Sequence, residues 1–79
     1  MDITRKERIE RFRSLYDDNA RQVRRICANY TYSSQLAEES SQETWIKVFN
    51  KLHTIREKPA HWISRVARNT AISYGQKDR

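Results

Sequence analysis

The segment Ser34-Gln35-Leu36-Ala37-Glu38-Glu39-Ser40-Ser41-Gln42-Glu43-Thr44-Trp45-Ile46-Lys47-Val48-Phe49-Asn50-Lys51-Leu52-His53 contains no glycine or proline and repeats its apolar residues at intervals of three and four. That is the period of an α-helix with one buried side. At 100° per residue Ala37, Ser41, Trp45, Val48, Phe49 and Leu52 share an arc predicted to face a core. An adjacent arc holds Glu39, Gln42, Glu43, Ile46 and Asn50, too polar as a set to be core. Ser34 is suited to cap the helix by offering its hydroxyl to a free N–H of the first turn. Glu38 and Glu39 then fall near the positive end of the helix dipole, and the predicted helix covers residues 34–53.

Toward the N-terminus a second stripe runs through Ile9, Phe12, Leu15, Tyr16, Ala20, Val23, Ile26, Cys27 and Tyr30 at the same spacing. Arg11, Arg13, Arg21, Arg24 and Arg25 fall on the other side. Asp17, Asp18 and Asn19 are weak helix formers able to bend a helix, yet the stripe keeps register across them, so one helix is expected over residues 4–31. Toward the C-terminus Pro59 suits a first helical turn and Gly75 the position just past a helix end, which predicts a third helix over residues 59–74. Its apolar arc holds Trp62, Ile63, Val66, Ala67, Thr70 and Tyr74, while Ser64, Arg65, Arg68 and Asn69 project oppositely with Ile72 among them. His53-Thr54-Ile55-Arg56-Glu57-Lys58 reads as a polar loop with a basic tip. The expected fold is all-α, a compact three-helix domain.

At 79 residues the chain suffices for one domain with a small core. Its 37% hydrophobic content is lean, but two Trp and four Tyr supply large units of burial. The single cysteine, Cys27, lies in an apolar arc and is expected to be a small core residue, with no internal disulfide open to it. No run resembles a signal peptide or a membrane span, so a cytoplasmic protein is expected. One Gly and one Pro leave no room for flexible linkers or a glycine-rich phosphate loop. No nucleophile, acid and base assemble into a recognisable catalytic set. His53 and His61 have neither paired cysteines nor a carboxylate cluster to complete a zinc signature. The expectation is a binding protein without metal or cofactor, and not an enzyme.

Charge is segregated along the chain. Residues 1–30 sum to +3 (eight Lys/Arg minus five acids), residues 31–46 to −3 (three carboxylates, no Lys or Arg) and residues 47–79 to +6 (eight minus two). Solvated helix faces would account for such a pattern, but two features favour partners. Ile46, apolar and rimmed by Glu39, Gln42, Glu43 and Asn50, has the make-up of a docking patch for a basic helical partner. The third helix mixes cations with groups that read or stack on bases: Arg65, Arg68, Asn69 and His61, with Trp62 equally suited to stacking and to core packing. Nucleic acid is the natural partner for that face.

The ordered set Ala37-Glu38-Glu39-Ser40-Ser41-Gln42-Glu43-Thr44-Trp45-Ile46, then Lys51-Leu52, then Trp62-Ile63-Ser64-Arg65-Val66-Ala67-Arg68-Asn69, resembles region 2 of a bacterial sigma factor of the sigma-70 family, in its extracytoplasmic-function (ECF) group. The likeness runs from about Phe12, in Phe12-Arg13-Ser14-Leu15-Tyr16, to the basic end. It implies that Glu39, Gln42 and Glu43 match the segment with which sigma factors grip the coiled-coil clamp helices of the RNA polymerase β′ subunit. It implies further that Arg65, Arg68 and Asn69, with the loop from Arg56 to His61, match the surface that opens and reads the minus-ten promoter element on the non-template strand. Ser40-Ser41 stands where the family usually has two apolar residues, and with Ser41 in the predicted buried arc, weaker packing is expected there. The short loop with its Ile55-Arg56-Glu57 opening is similar to that of the iron-starvation subgroup.

The resemblance thus implies a promoter-specificity domain of transcription initiation. It would join core RNA polymerase through Glu39, Gln42, Glu43, Ile46 and Asn50, and engage minus-ten DNA through Arg56, Lys58, His61, Trp62, Ser64, Arg65, Arg68 and Asn69. An anti-sigma factor is a further partner that the family suggests. Residues 1–79 are expected to form a single region 2 domain, with the family's minus-thirty-five-binding domain absent from this chain. The alternatives are a small protein–protein interaction module and a nonspecific binder of single-stranded nucleic acid.

Overall fold

The computed structural model describes residues 4–77, and every regular element among them is helical: α1 (Arg5–Tyr30), α2 (Ser34–Asn50), a 3-10 turn (Leu52–Thr54) and α3 (Pro59–Lys77). Each of the three α-helices packs against the other two. The 26 residues of α1 span about 39 Å at 1.5 Å per residue. That length sets the long axis of a molecule 44 Å by 20 Å by 20 Å.

Local chemistry fixes the helix ends. The Thr4 hydroxyl accepts from the Glu7 N–H at 3.1 Å while the Glu7 carboxylate reaches back to the Thr4 N–H and O–H, a reciprocal capping box. In α2 the cap is Ser33 and not Ser34: Ser33 has extended dihedrals and its Oγ accepts from the Leu36 N–H at 3.0 Å, so Ser34 is already the first helical residue. Glu38 and Glu39 therefore lie beyond the first turn of α2, which holds no acid, and the dipole, whose influence fades within one turn, accounts for little of their placement. The helix ends at Asn50, short of the predicted boundary, and the chain tightens into the 3-10 turn. Gly75 does not terminate α3, which runs on to Lys77 without a left-handed glycine. Its value is its size: a Cβ there would stand 2.9 Å from the backbone carbonyl oxygen of Tyr30 on α1.

The core draws Leu15, Val23 and Cys27 from α1, Trp45 and Val48 from α2, Leu52 and Ile55 from the connection, and Ile63, Ala67 and Ala71 from α3. Fully buried Val23, Val48 and Ile63 each contribute roughly 1.5–3 kcal/mol of transfer free energy. The buried faces are turned somewhat from the most apolar arcs. On α2 the fully buried serine is Ser40, with Thr44 beside it, while Ser41, Ala37 and Phe49 are half-buried. Both hydroxyls donate to carbonyls of their own helix, Ser40 to Ala37 at 3.1 Å and Thr44 to Ser40 at 2.7 Å, which removes most of the cost of burying them. On α3 Thr70 and Ala71 are buried, whereas Trp62, Val66 and Tyr74 are half-buried.

Asn19 does not interrupt α1. It is buried, and its amide donates to the Leu15 carbonyl at 2.9 Å. The loop read as polar is anchored from inside, for Ile55 is only 2% exposed and its carbonyl accepts from the Arg11 guanidinium of α1. Lys58 then takes φ 48°, in the left-handed region, and its carbonyl accepts from the N–H groups of His61 and Trp62 to start α3.

Candidate functional site

Two grooves run beside α1, and they differ in chemistry. The first lies against α2, has a volume of about 310 Å³ and is lined by Phe12, Trp45, Ile46, Phe49 and Asn50. Its rings pack edge to face, Phe12 on Trp45 at 5.9 Å and 88° and Phe12 on Phe49 at 5.3 Å and 83°, with Tyr16 tilted over Trp45 at 4.9 Å. The Arg8 guanidinium caps the Phe49 ring at 5.2 Å from its centroid. Ile46 remains 59% exposed beside these rings. An aliphatic side chain left in water at the edge of an aromatic cluster offers apolar area for a partner to cover.

The predicted anionic strip runs from this groove along α2. Glu39, Gln42 and Asn50 are exposed, and Glu43 is half-buried toward α3. Glu43 accepts from the Tyr74 hydroxyl at 2.8 Å and pairs with Lys47 at 3.3 Å, and the Lys47 ammonium donates to Thr70 Oγ1 at 3.0 Å. The bond to the Glu43 carboxylate raises the Tyr74 phenol above its ordinary value of 10.0, with desolvation and the charges of Glu43 and Glu39 adding to it. Glu43 is thus both part of the strip and a tie between α2 and α3, whereas Glu39 and Gln42 stand in solvent.

The second groove lies between the last turns of α1 and the first half of α3, with a volume of about 390 Å³. From α3 it receives His61, Ser64, Arg65 and Arg68, whose spacing of three and four places them along one face. Neither Arg65 nor Arg68 has an ion pair or hydrogen bond with another described residue, so their charges are available to a ligand. From α1 it receives Ile26, Asn29 and Tyr30. Asn69 is exposed on α3 outside the groove, and Trp62 is turned inward, half-buried against the core. Arg56 and Lys58 are exposed on the connection that leads into α3.

The structure therefore brings together four of the residues predicted for nucleic acid and leaves Arg56, Lys58, Trp62 and Asn69 outside the groove itself. It also adds Asn29 and Tyr30 of α1. Tyr30, last on the apolar stripe of α1, is 45% exposed, as are Ile9 and Tyr16 of the same stripe at 50% and 44%. Asn29, next to it, gives no periodic signal at all. Among the described residues no group of three or more His, Cys, Asp or Glu is arranged to hold a metal ion, and no helix is long and apolar enough to cross a membrane.

A family model described as Sigma-70 region 2 matches residues 15–79. No curated protein and no solved structure matches the chain.

Proposed function

The chain belongs to the sigma-70 region 2 family, a domain of transcription initiation factors concerned with core RNA polymerase binding and promoter recognition, and on that premise we propose that its two grooves divide those two tasks. In this reading the α1–α2 groove and the strip Glu39, Gln42, Glu43, Ile46 and Asn50 dock on the β′ clamp helices of the polymerase. Ile46 supplies the apolar centre and the carboxylates set orientation and encounter rate. Arg56, Lys58, His61, Ser64, Arg65, Arg68 and Asn69 engage the non-template strand of the minus-ten element, with Trp62 packed beneath them to hold the helix in place. Cations anchor phosphates while the loop and Asn69 hold an unstacked base, so strand separation is stabilised by capture.

The reading extends to the ECF type, with a loop like that of the iron-starvation subgroup, to residues 1–79 as a single region 2 domain, and to action in the cytoplasm. An anti-sigma factor would act by covering either groove. The observation that carries the proposal is the contrast on one small body between an apolar groove with Ile46 59% exposed and a groove holding two arginines unpaired among the described residues.

Co-purification with core RNA polymerase tests the first half. Because Glu43 also ties α2 to α3, the informative variant is Glu39→Lys with Ile46→Glu, both at exposed positions. Loss of retention is expected, and retention equal to the parent's would overturn the assignment. For the second half, Arg65→Ala should weaken binding to unpaired promoter DNA and flatten the salt slope by about 0.7 per lost phosphate contact. An unchanged slope removes Arg65 from the footprint.

A further inference from the structure

We propose that Arg11 of α1 is a positioning residue for the loop that carries Arg56 and Lys58: it holds the Ile55 carbonyl, and through it the loop, without touching the promoter strand. The proposal rests on the reading of that loop as part of the minus-ten surface and adds to it a residue outside both grooves.

The loop is short and held at both ends. Upstream, Leu52 and Ile55 are buried, the Thr54 and Ile55 N–H groups donate to the Lys51 and Leu52 carbonyls at 2.9 and 3.2 Å, and the Ile55 carbonyl accepts from the Arg11 guanidinium. Downstream, the Lys58 carbonyl accepts from the N–H groups of His61 and Trp62 at 3.1 and 3.2 Å. Arg56, Glu57 and Lys58 lie between these anchors, and all three are exposed. Lys58 holds φ 48°, a left-handed setting that a non-glycine residue keeps where its surroundings fix it. The side chains of Arg56 and Lys58 pair with no described residue. What these two cations can reach is therefore set by where the backbone points them.

Arg11 differs from the other anchors in coming from α1, 44 residues before the carbonyl it holds. Ile55 is extended and caps the 3-10 turn, so no helical N–H is in register with its carbonyl and the guanidinium takes that place. The donors of a guanidinium are fixed in one plane, so the bond sets a direction as well as a distance. With the carbonyl released, the tip samples more orientations, and ordering it again on binding costs affinity. Arg11 lines neither groove. Its neighbour Phe12 packs edge to face on Trp45 and Phe49, which gives the anchor a packed base on α1.

The test uses the whole 79-residue chain with Arg11→Met, which removes the donors and keeps an apolar stem, and Arg11→Lys, which keeps the charge. Amide hydrogen exchange without DNA should be about tenfold faster in Arg11→Met at Thr54, Ile55, His61 and Trp62, with Val23 and Val48 unchanged. Anisotropy with a labelled unpaired promoter strand should show binding weakened about threefold to tenfold, and across parent, Arg11→Lys and Arg11→Met binding should fall in the order in which loop exchange rises. Arg56→Ala should cost less in Arg11→Met than in the parent, whereas Arg65→Ala costs the same in both. Unchanged loop exchange in Arg11→Met overturns the proposal, as does faster loop exchange with parental binding. Additive losses from Arg11→Met and Arg56→Ala would make Arg11 an independent contact with the strand and overturn it too. In each of these cases the promoter reading stands if Arg65→Ala still weakens binding. A parent without salt-sensitive binding removes the promoter reading, and the proposal with it.

Discussion

The two grooves share one helix, yet aromatic residues serve opposite ends in them. Against α2 the rings of Phe12, Tyr16, Trp45 and Phe49 interlock, with Trp45 8% exposed, so their surface is invested in holding α1 and α2 together. Toward α3 the core includes the small residues Cys27, Ala67 and Ala71 beside Val23 and Ile63, Gly75 passes close to the Tyr30 carbonyl, and the Tyr30 side chain stays 45% exposed at the groove. The polar groups follow the same division. Glu43, Lys47, Thr70 and Tyr74 bond across the α2–α3 seam, while Arg65 and Arg68 bond to no described residue. In the first groove the paired rings stabilise the fold and leave Ile46 as the exposed apolar residue, whereas in the second the arginines themselves are available for binding.

That contrast is open to direct attack. Trp45→Ala should be the most damaging change, costing about 3–5 kcal/mol by removing the hub of the aromatic cluster. In a small domain of ordinary marginal stability that is enough to unfold it, and a circular dichroism melt close to the parent's would break the claim that this groove carries the fold. Gly75→Val comes next. Its new carbons meet a backbone carbonyl that cannot swing aside, so about 1–3 kcal/mol of overpacking is expected, together with loss of oligonucleotide binding as α1 and α3 part. An unchanged urea midpoint would show that the end of α3 gives way freely.

Tyr74→Phe addresses the polar seam and should cost about 1 kcal/mol near neutral pH. The sign of its pH dependence follows from the raised Tyr74 value. The folded state favours the protonated phenol, so the contribution is complete below pH 10.0, the ordinary tyrosine value, and is lost as pH rises through the folded value above it. Urea midpoints of parent and variant should therefore converge in that alkaline window, and a constant gap would show that the hydroxyl acts by packing alone. The smallest expected effect is the most informative. Tyr30→Ala should shift stability by no more than about 0.5 kcal/mol, as a surface change does. A loss comparable to that of Trp45→Ala would make Tyr30 a structural residue and erase the difference between the grooves.

Much of the fold was legible in the residues. Three helices followed from spacing, and α1 read correctly through Asp17-Asp18-Asn19 because the stripe stayed in register; the Asn19 amide then satisfies the Leu15 carbonyl instead of breaking the helix. The buried side of α2 was less legible. The most apolar arc pointed to Ser41, but packing buries Ser40 and Thr44, whose hydroxyls bond within their own helix and so behave as compact core side chains. The candidate surfaces show the same pattern. Ile46 is exposed as expected, Trp62 is packed partly against the core, and Ile9, Tyr16 and Tyr30 stay exposed although they lie on the apolar stripe of α1, because periodicity along one helix does not register how far its neighbours cover it.

By itself, then, the sequence determined what depends on spacing along one helix: the number and order of the helices, the separation of acidic from basic segments, and the region 2 pattern that the family model matches over residues 15–79. Tertiary structure alone decided what depends on the axial and rotational setting of one helix against another. It brought Arg11 to the Ile55 carbonyl, gave Gly75 its meaning through the Tyr30 carbonyl, and faced Tyr30 toward Arg65 and Arg68. Periodicity is a local property, fixed by 100° of rotation per residue. The setting of two helices is fixed by how closely their small residues let the backbones approach, and no single stretch of sequence states that distance.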